Sequence, residues 1–390
     1  MVSVKGHIPE DKLNKAANFP PIIRSIEIET SAKTIGEYTY NLMVQNKIVK
    51  KGQVKKEHKL TNLSSTMGGY MTFSNYYLHW LIDYFGFIIE DVGMMTTFTR
   101  HDRFLPFVET MRQERIKANI EKHSGRDASC KNAVNGSFGY DIMNEMNFVE
   151  LKYCEHKLLV EKHRKAEFVG ETQISEEMYQ ISMDKRVYRC DTPLQVGFFT
   201  LDVAKVWYLH FIHEFLFKCL DTERFHFAEG DTDSAYFAVS GDDNRRPEQG
   251  FEAIIKDKEF YDKYIDEFLP RREPFEDKIK SKLDSKKLLG CCFENAGDSM
   301  ICLAPKCYCL YDDEKSKMAS KGYSIKKNSS ITKETYLKVL GGENEKGVNS
   351  NLQFIKGSMH RVDVLKTAIS GIHSKMIVQP NGACLPFPPK

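Results

Sequence analysis

From Phe225 to Val239 the chain reads FHFAEGDTDSAYFAV. Two apolar, aromatic-rich runs flank a glycine and two aspartates one residue apart. Alternation puts Phe225 and Phe227 on one face of a first strand, and Ala235, Phe237 and Val239 on one face of a second. The pattern predicts a β-hairpin turning through Gly230-Asp231-Thr232-Asp233. Asp231 and Asp233 are then held at a rigid strand end. Like charges so close raise the pKa of one carboxyl unless a cation neutralises them. A calcium loop of the EF-hand type fails here: with Asp231 at position one, Ala235 and Tyr236 occupy positions five and six, where an oxygen ligand and a glycine are needed. A two-metal phosphoryl-transfer site fits better, with cations ~3.5–4 Å apart clamping the attacking and leaving oxygens. An exposed turn solvated by its aspartates is the plain alternative. The hairpin alone leaves both open.

The chain has 390 residues, 41% of them hydrophobic, which allows two or three domains with a sizeable core. Lys plus Arg number 56 against 54 Asp plus Glu, a net charge of +2. A polyanion would therefore have to find a local basic patch rather than a global field. No apolar run approaches the ~20 residues of a membrane span, and "MVSVKGHIPEDKLNK" lacks the apolar core of a secretory signal. The ten cysteines include no C-x-x-C pair. Small buried hydrophobes explain them better than zinc ligands, so the chain reads as intracellular.

Tyr77, Leu78, Leu81, Ile82 and Phe85 recur at the spacing of one helix face, Gly86 ends that helix, and "FIIEDV" follows as a strand. The basic run Lys47–Lys59 fits a solvated hairpin face. Residues 104–123 predict a helix carrying Arg112, Arg115, Lys117 and Lys122. Asp127 is a natural N-cap for a second helix from Ala128, giving a helical hairpin with its tip near Gly125. Residues 146–190 read as strands and turns. Thr192–Leu220 predicts a long apolar helix, with Leu201, Ala204, Trp207, Tyr208 and Phe211 on one face. Residues 251–270 read as helical, Gly290–Tyr311 as an antiparallel strand pair, and the tail from about residue 328 as helical and basic.

Two further constellations bear on the acidic hairpin. Lys131, Asn135 and Phe138 stand at i, i+4 and i+7, one helix face, offering a cation, an amide and a flat ring. Lys306 and Tyr308 stand two apart on a likely strand, suited to a sugar–phosphate backbone. "KGYSIKK" from Lys321 adds positive charge.

In combination these segments resemble family B DNA polymerases. Lys131-x-x-x-Asn135-Gly136-x-Phe138-Gly139 is similar to that family's fingers motif, with Gly136 in place of Ser and Phe138 in place of Tyr. Gly230-Asp231-Thr232-Asp233-Ser234 is similar to its palm motif, and Lys306-Cys307-Tyr308 to its K-x-Y motif. "QVGFFTLDVAKVWYLHF" resembles the helix before the palm motif in the protein-primed branch of linear plasmids, viruses and self-replicating transposons. The resemblance spans roughly residues 20–330.

It implies an α+β fold: a palm with an antiparallel sheet, helical-hairpin fingers and a partial thumb. The segments would be 1–103, palm-proximal with room for an insertion; 104–140, fingers; 141–310, palm; and 311–390, thumb-like. It implies a DNA-directed DNA polymerase using two magnesium ions. Asp233 would be the principal metal ligand and Asp231 its support. Lys131 would bind the triphosphate and protonate the leaving group. Asn135, Phe138 and Arg115 would contact the nucleotide, and Lys306, Tyr308 and Lys321 the DNA. Partners would be primer–template, dNTP, and a terminal protein or an upstream polymerase half. The family's other palm motif, D-x-x-S-L-Y-P, does not occur in the chain. The expectation is therefore an incomplete or split polymerase, weakly active or inactive alone. The alternative is a non-catalytic nucleic-acid-binding remnant or scaffold. A nuclease built on Asp231 and Asp233 leaves the Lys131 helix and the Lys306 strand without a role.

Overall fold

The computed structural model describes the chain outside residues 101, 145–148, 185–190, 232–233, 243, 246, 270–290, 292–293, 313–315, 321–322, 356–357 and 388–390, and outside the side chains of 231, 248, 326, 354 and 355. The architecture is α+β, with small antiparallel sheets, as expected.

The first elements are β1 (Val2–His7), α1 (Glu10–Ala17), β2 (Ile22–Glu29), α2 (Ala32–Ile35), α3 (Glu37–Gln45), β3 (Lys56–Leu63), β4 (Met71–Phe73), α4 (Asn75–Phe85) and β5 (Ile88–Met95). β2 and β3 form an antiparallel pair, and a three-stranded sheet runs β4-β1-β5. Two lysines of the basic run pair on this surface: Lys56 meets Glu27 at 3.1 Å and Lys59 meets Glu57 at 2.8 Å. α4 stops at Gly86 as its sequence predicted, and the structure adds an N-cap. Ser74 caps it by accepting from the Tyr77 amide, and Gly86 ends it at φ 66°, a left-handed position cheap for glycine. Its buried face is Tyr77, Leu78, Trp80, Leu81 and Phe85. Ile82, expected there, is exposed. Trp80 takes its place because its Nε1 donates to Glu214 and its ring packs on His213.

Next come α5 (Leu105–Ile120) and α6 (Ser124–Asp141), the helical hairpin. Asp127 is not its cap. His123 is, accepting from the Arg126 amide at 3.2 Å, and Asp127 lies in the first turn, where it pairs with Arg115. An insertion follows: β6 (Glu150–Glu155), α7 (His156–His163), β7 (Phe168–Gln173) and β8 (Met178–Met183), with sheet order β6-β8-β7. "HKLLVEKH" is thus helical rather than strand or turn; its Leu159 packs with Cys154, Ile181 and Met183 in a small core.

The long apolar helix is real but not uniform. α8 (Leu194–Leu209) passes through a π-helical stretch, His210–Leu216, into a last turn, α9 (Phe217–Cys219). The wider π turn changes the phase of the buried face: Phe211, Ile212, His213, Phe215 and Leu216 are all buried. Before it, the buried positions are Gly197, Asp202, Val206, Tyr208 and Leu209; Tyr208 keeps its place in the expected stripe, whereas Ala204 and Trp207 are exposed.

The remaining elements are β9 (Phe225–Asp231), β10 (Ser234–Val239), α10 (Lys258–Phe268), β11 (Ser299–Ala304), β12 (Cys307–Tyr311), β13 (Ser316–Ala319), α11 (Lys333–Leu340), β14 (Asn344–Ile355) and β15 (Ser358–Ser370). The tail is therefore mostly a long β14–β15 hairpin and not a helix; the β-branched Val348, Val362 and Val364 suit extended backbone, and the two strands pair in register. The main core joins β1, β2 and α4 to α8, α9 and β9, and Phe225 is buried in it. A second core joins β11 and β12 to α11 and Ile369. Among the described residues, no helix is long and apolar enough to cross a membrane.

Candidate active site

β9 and β10 pair antiparallel, with Asp231 opposite Ser234 and Glu229 opposite Tyr236. The connection is thus the two residues Thr232 and Asp233, which lie outside the described residues, as does the Asp231 side chain. The glycine before them is required by space: a Cβ on Gly230 would lie 2.7 Å from the Ser234 carbonyl oxygen and 2.7 Å from the Phe227 ring. Behind the hairpin, Phe227 and Phe237 pack edge to face, and Phe19 closes on Phe227 at 4.9 Å. Aromatic packing of this kind fixes the strand ends that carry the acidic turn.

The K-x-Y segment reaches this hairpin from more than 70 residues away. The Tyr236 and Tyr308 hydroxyls are 2.9 Å apart, with ring centroids at 5.0 Å. The Lys306 amide donates to Glu229 Oε1 at 2.8 Å. Lys306 does not lie along a strand beside Tyr308, as its spacing suggested. Ala304 pairs with Cys307, so Pro305 and Lys306 are the turn between β11 and β12, and Lys306 takes a positive φ of 65°. That conformation costs a lysine roughly 1 kcal/mol or more; the amide bond to buried Glu229 offsets it. Burial first, then the Tyr236 hydrogen bond and the nearby Glu229 charge, holds the Tyr308 hydroxyl well above the ordinary tyrosine pKa. Cys302 and Cys307 flank the turn. Burial pushes their thiols up to about 12 and about 11, which leaves little thiolate at neutral pH.

The Lys131 helix connects to the hairpin through α8. Near the start of α8, Gly197 leaves room for α6: a Cβ there would lie 2.0 Å from Ile142 Cγ2 and 3.2 Å from the Phe138 carbonyl oxygen. Further along α8, the Tyr208 hydroxyl donates to the Ser234 carbonyl at 3.0 Å. At 1.5 Å per residue, those two contact points are roughly 16 Å apart along the helix axis. Lys131 and Asn135 are exposed on α6, and Phe138 is half-buried. Arg115 is committed to Asp127 at 2.8 Å. Lys321 lies outside the described residues. α8 is anchored between its two contacts by Asp202, which accepts from the Ser74 amide at 2.8 Å and pairs with Arg24 at 2.8 Å.

Sequence reading missed Glu229, Tyr236 and Tyr208. The expected turn, Gly230 to Asp233, would set Glu229 opposite Ser234; the pairing of Asp231 with Ser234 displaces it by one residue and brings Glu229 opposite Tyr236. The partner of that pair, in β12, was not readable. Among the described residues, no group of three or more His, Cys, Asp or Glu gathers as a metal cluster. No family model matches the chain, and neither a curated protein nor a solved structure does.

Proposed function

We propose that the chain is the fingers, palm and thumb part of a family B DNA polymerase, adding dNMP to a primer 3′-hydroxyl on a DNA template. The observation that carries this reading is the meeting of two distant motifs, with Tyr308 and the Lys306 turn bound to the strands β9 and β10, between which Asp233 falls in the sequence. The tie from the Lys131 helix through α8 to Ser234 supports it further.

The primer hydroxyl oxygen attacks the α-phosphorus. A new P–O bond forms, the bond to pyrophosphate breaks, and the hydroxyl proton passes to solvent. Lys131 neutralises and protonates the departing pyrophosphate oxygen. Asn135 and the Phe138 ring hold the sugar and base. Lys306 and Tyr308 hold the primer end, the tyrosine staying a neutral donor because its ionisation is suppressed. The donor set Asp231 and Asp233 is all hard oxygen and suits magnesium. When bound, magnesium would supply charge neutralisation at the attacking and leaving oxygens. Catalysis is then mostly positioning.

The test is single-turnover primer extension with the chain in excess, dNTPs and magnesium. The reading expects slow addition that Asp233→Asn lowers by at least ~100-fold, the scale of a lost charge-stabilising group. Absence of any addition, with primer–template still bound, assigns the chain instead to the non-catalytic nucleic-acid-binding class.

A further inference from the structure

A cleft of about 730 Å³ lies between α1, the end of α4, the π-helical stretch and α10, a volume within the range of small-molecule sites. It shares no residue with the candidate active site. Single π turns recur at functional positions in helices, and this one lines the cleft with His210, His213 and Glu214. His213 is 1% exposed. Both its ring nitrogens are buried without a completed hydrogen bond to the described residues; the Phe19 backbone only favours the protonated form, against the larger effect of burial. A neutral imidazole still carries one donor and one acceptor, and leaving them unmatched in the interior is costly. A polar atom entering the cleft would match one of them.

The charge at the cleft is arranged for an anion. Lys15 and Lys218 are exposed on its lining, and among the described residues neither pairs with a carboxylate. Their ammonium groups lie instead over rings, 3.3 Å from the Tyr84 centroid and 4.0 Å from that of Phe260, and Lys15 donates to the Tyr84 carbonyl at 2.8 Å. Two acids share the lining. Glu214 is already engaged by Trp80 Nε1 and by His210 at 2.8 Å, and Glu267 is exposed on α10. The α10 side is a wall of rings: Phe260 and Phe268 stack on buried Phe215 at 6.3 and 5.1 Å. Such a wall favours a flat, rigid partner.

We propose that this cleft binds a small organic anion with a flat ring, its charge meeting Lys15 and Lys218, its ring lying against α10 and a polar group at its far end meeting His213. The inference stands apart from the polymerase reading. Equilibrium dialysis of the full chain tests it, with a hydroxynaphthoate carrying its hydroxyl and carboxylate at opposite ends of the ring as the probe. Circular dichroism confirms that each variant is folded. Binding is expected at about 1 mM or tighter, the scale for a rigid ligand of that size. Lys15→Met and Lys218→Met keep the apolar stems without the charge, and each is expected to weaken binding about threefold or more. Lys258→Met, on α10 but outside the cleft lining, should leave it unchanged. Naphthol, without the charge, and acetate, without the ring, should each bind at least ~10-fold more weakly, and plain naphthoate measurably more weakly than the probe. A probe that fails to bind, or that binds the Lys15→Met and Lys218→Met chains as well as the wild type, overturns the inference. So does naphthol or acetate binding as tightly as the probe. Equal affinity for naphthoate and hydroxynaphthoate removes His213 from the site.

Discussion

Replacing Asp202 with alanine is expected to cost about 3–5 kcal/mol of stability, the loss typical of stranding one member of a buried ion pair. Its side chain is 3% exposed and that of Arg24 13%. One carboxylate oxygen binds Arg24 and the other takes the Ser74 amide, so the substitution orphans a cation and a helix N-cap amide together. The guanidinium would keep the Ile23 and Thr72 carbonyls but no counter-charge, and it lies mostly buried, 4.7 Å from the Phe73 ring and 4.8 Å from that of Tyr77. Losing it also frees α8 from β2 and α4 between the Gly197 and Tyr208 contacts. Urea unfolding followed by Trp80 fluorescence measures the effect. The exposed pair Lys258–Asp262, at 2.9 Å, is the control; Asp262→Ala should cost at most ~0.5 kcal/mol. Equal losses in the two variants would show that the Arg24–Asp202 pair is not a structural tie.

Acidification is expected to remove a comparable amount. His213 is 1% exposed among the rings of Phe19, Trp80, Tyr84, Phe85 and Phe217. Burial, with a smaller push from Lys15, lowers its pKa from 6.5 to about 3. The folded state therefore needs it neutral, while the unfolded chain protonates it near pH 6.5. A depressed folded pKa gives stability that is fully present above the unfolded pKa and lost as pH falls toward the folded one. Between pH 7 and pH 4 that linkage amounts to roughly 3 kcal/mol. His210 and Glu214 also face this region and are paired to each other at 2.8 Å. His373, lowered to about 4 by burial, adds a loss of the same sign. The comparison that isolates His213 is His213→Leu, whose stability should fall much less over the same pH range. Parallel pH profiles for the two proteins would contradict the assignment.

Local signals were legible where one residue decides the geometry. Gly86 ends α4 as expected, and the β9–β10 hairpin forms where the flanking alternation placed it, with its turn displaced by one residue. The sequence was misleading where tertiary contact or phase decides. Nothing in "HFIHEFL" announces that the helix widens into a π turn; of the expected stripe Tyr208 and Phe211 are buried, while Ala204 and Trp207 are exposed. Asp127 has the residue type of a cap, but its carboxylate is spent on Arg115, and His123 caps instead. The charged "HKLLVEKH" hides a helix because its apolar face is only as wide as a three-stranded sheet requires. At the candidate site, the motif residues were readable one by one. Their meeting was not, because the Tyr236–Tyr308 contact depends on how β11 and β12 pack against β9 and β10.

The most direct test of the proposed polymerase site is photo-crosslinking of a dNTP analogue on primer–template in the presence of magnesium, with the labelled peptide read by mass spectrometry. The account predicts magnesium-dependent labelling of α6 between Lys131 and Phe138, falling at least ~10-fold in both Asp233→Asn and Lys131→Ala, as expected when one of two groups holding the same phosphates is lost. Labelling that ignores magnesium and survives Asp233→Asn would mean that the finger helix and the acidic hairpin do not serve one nucleotide.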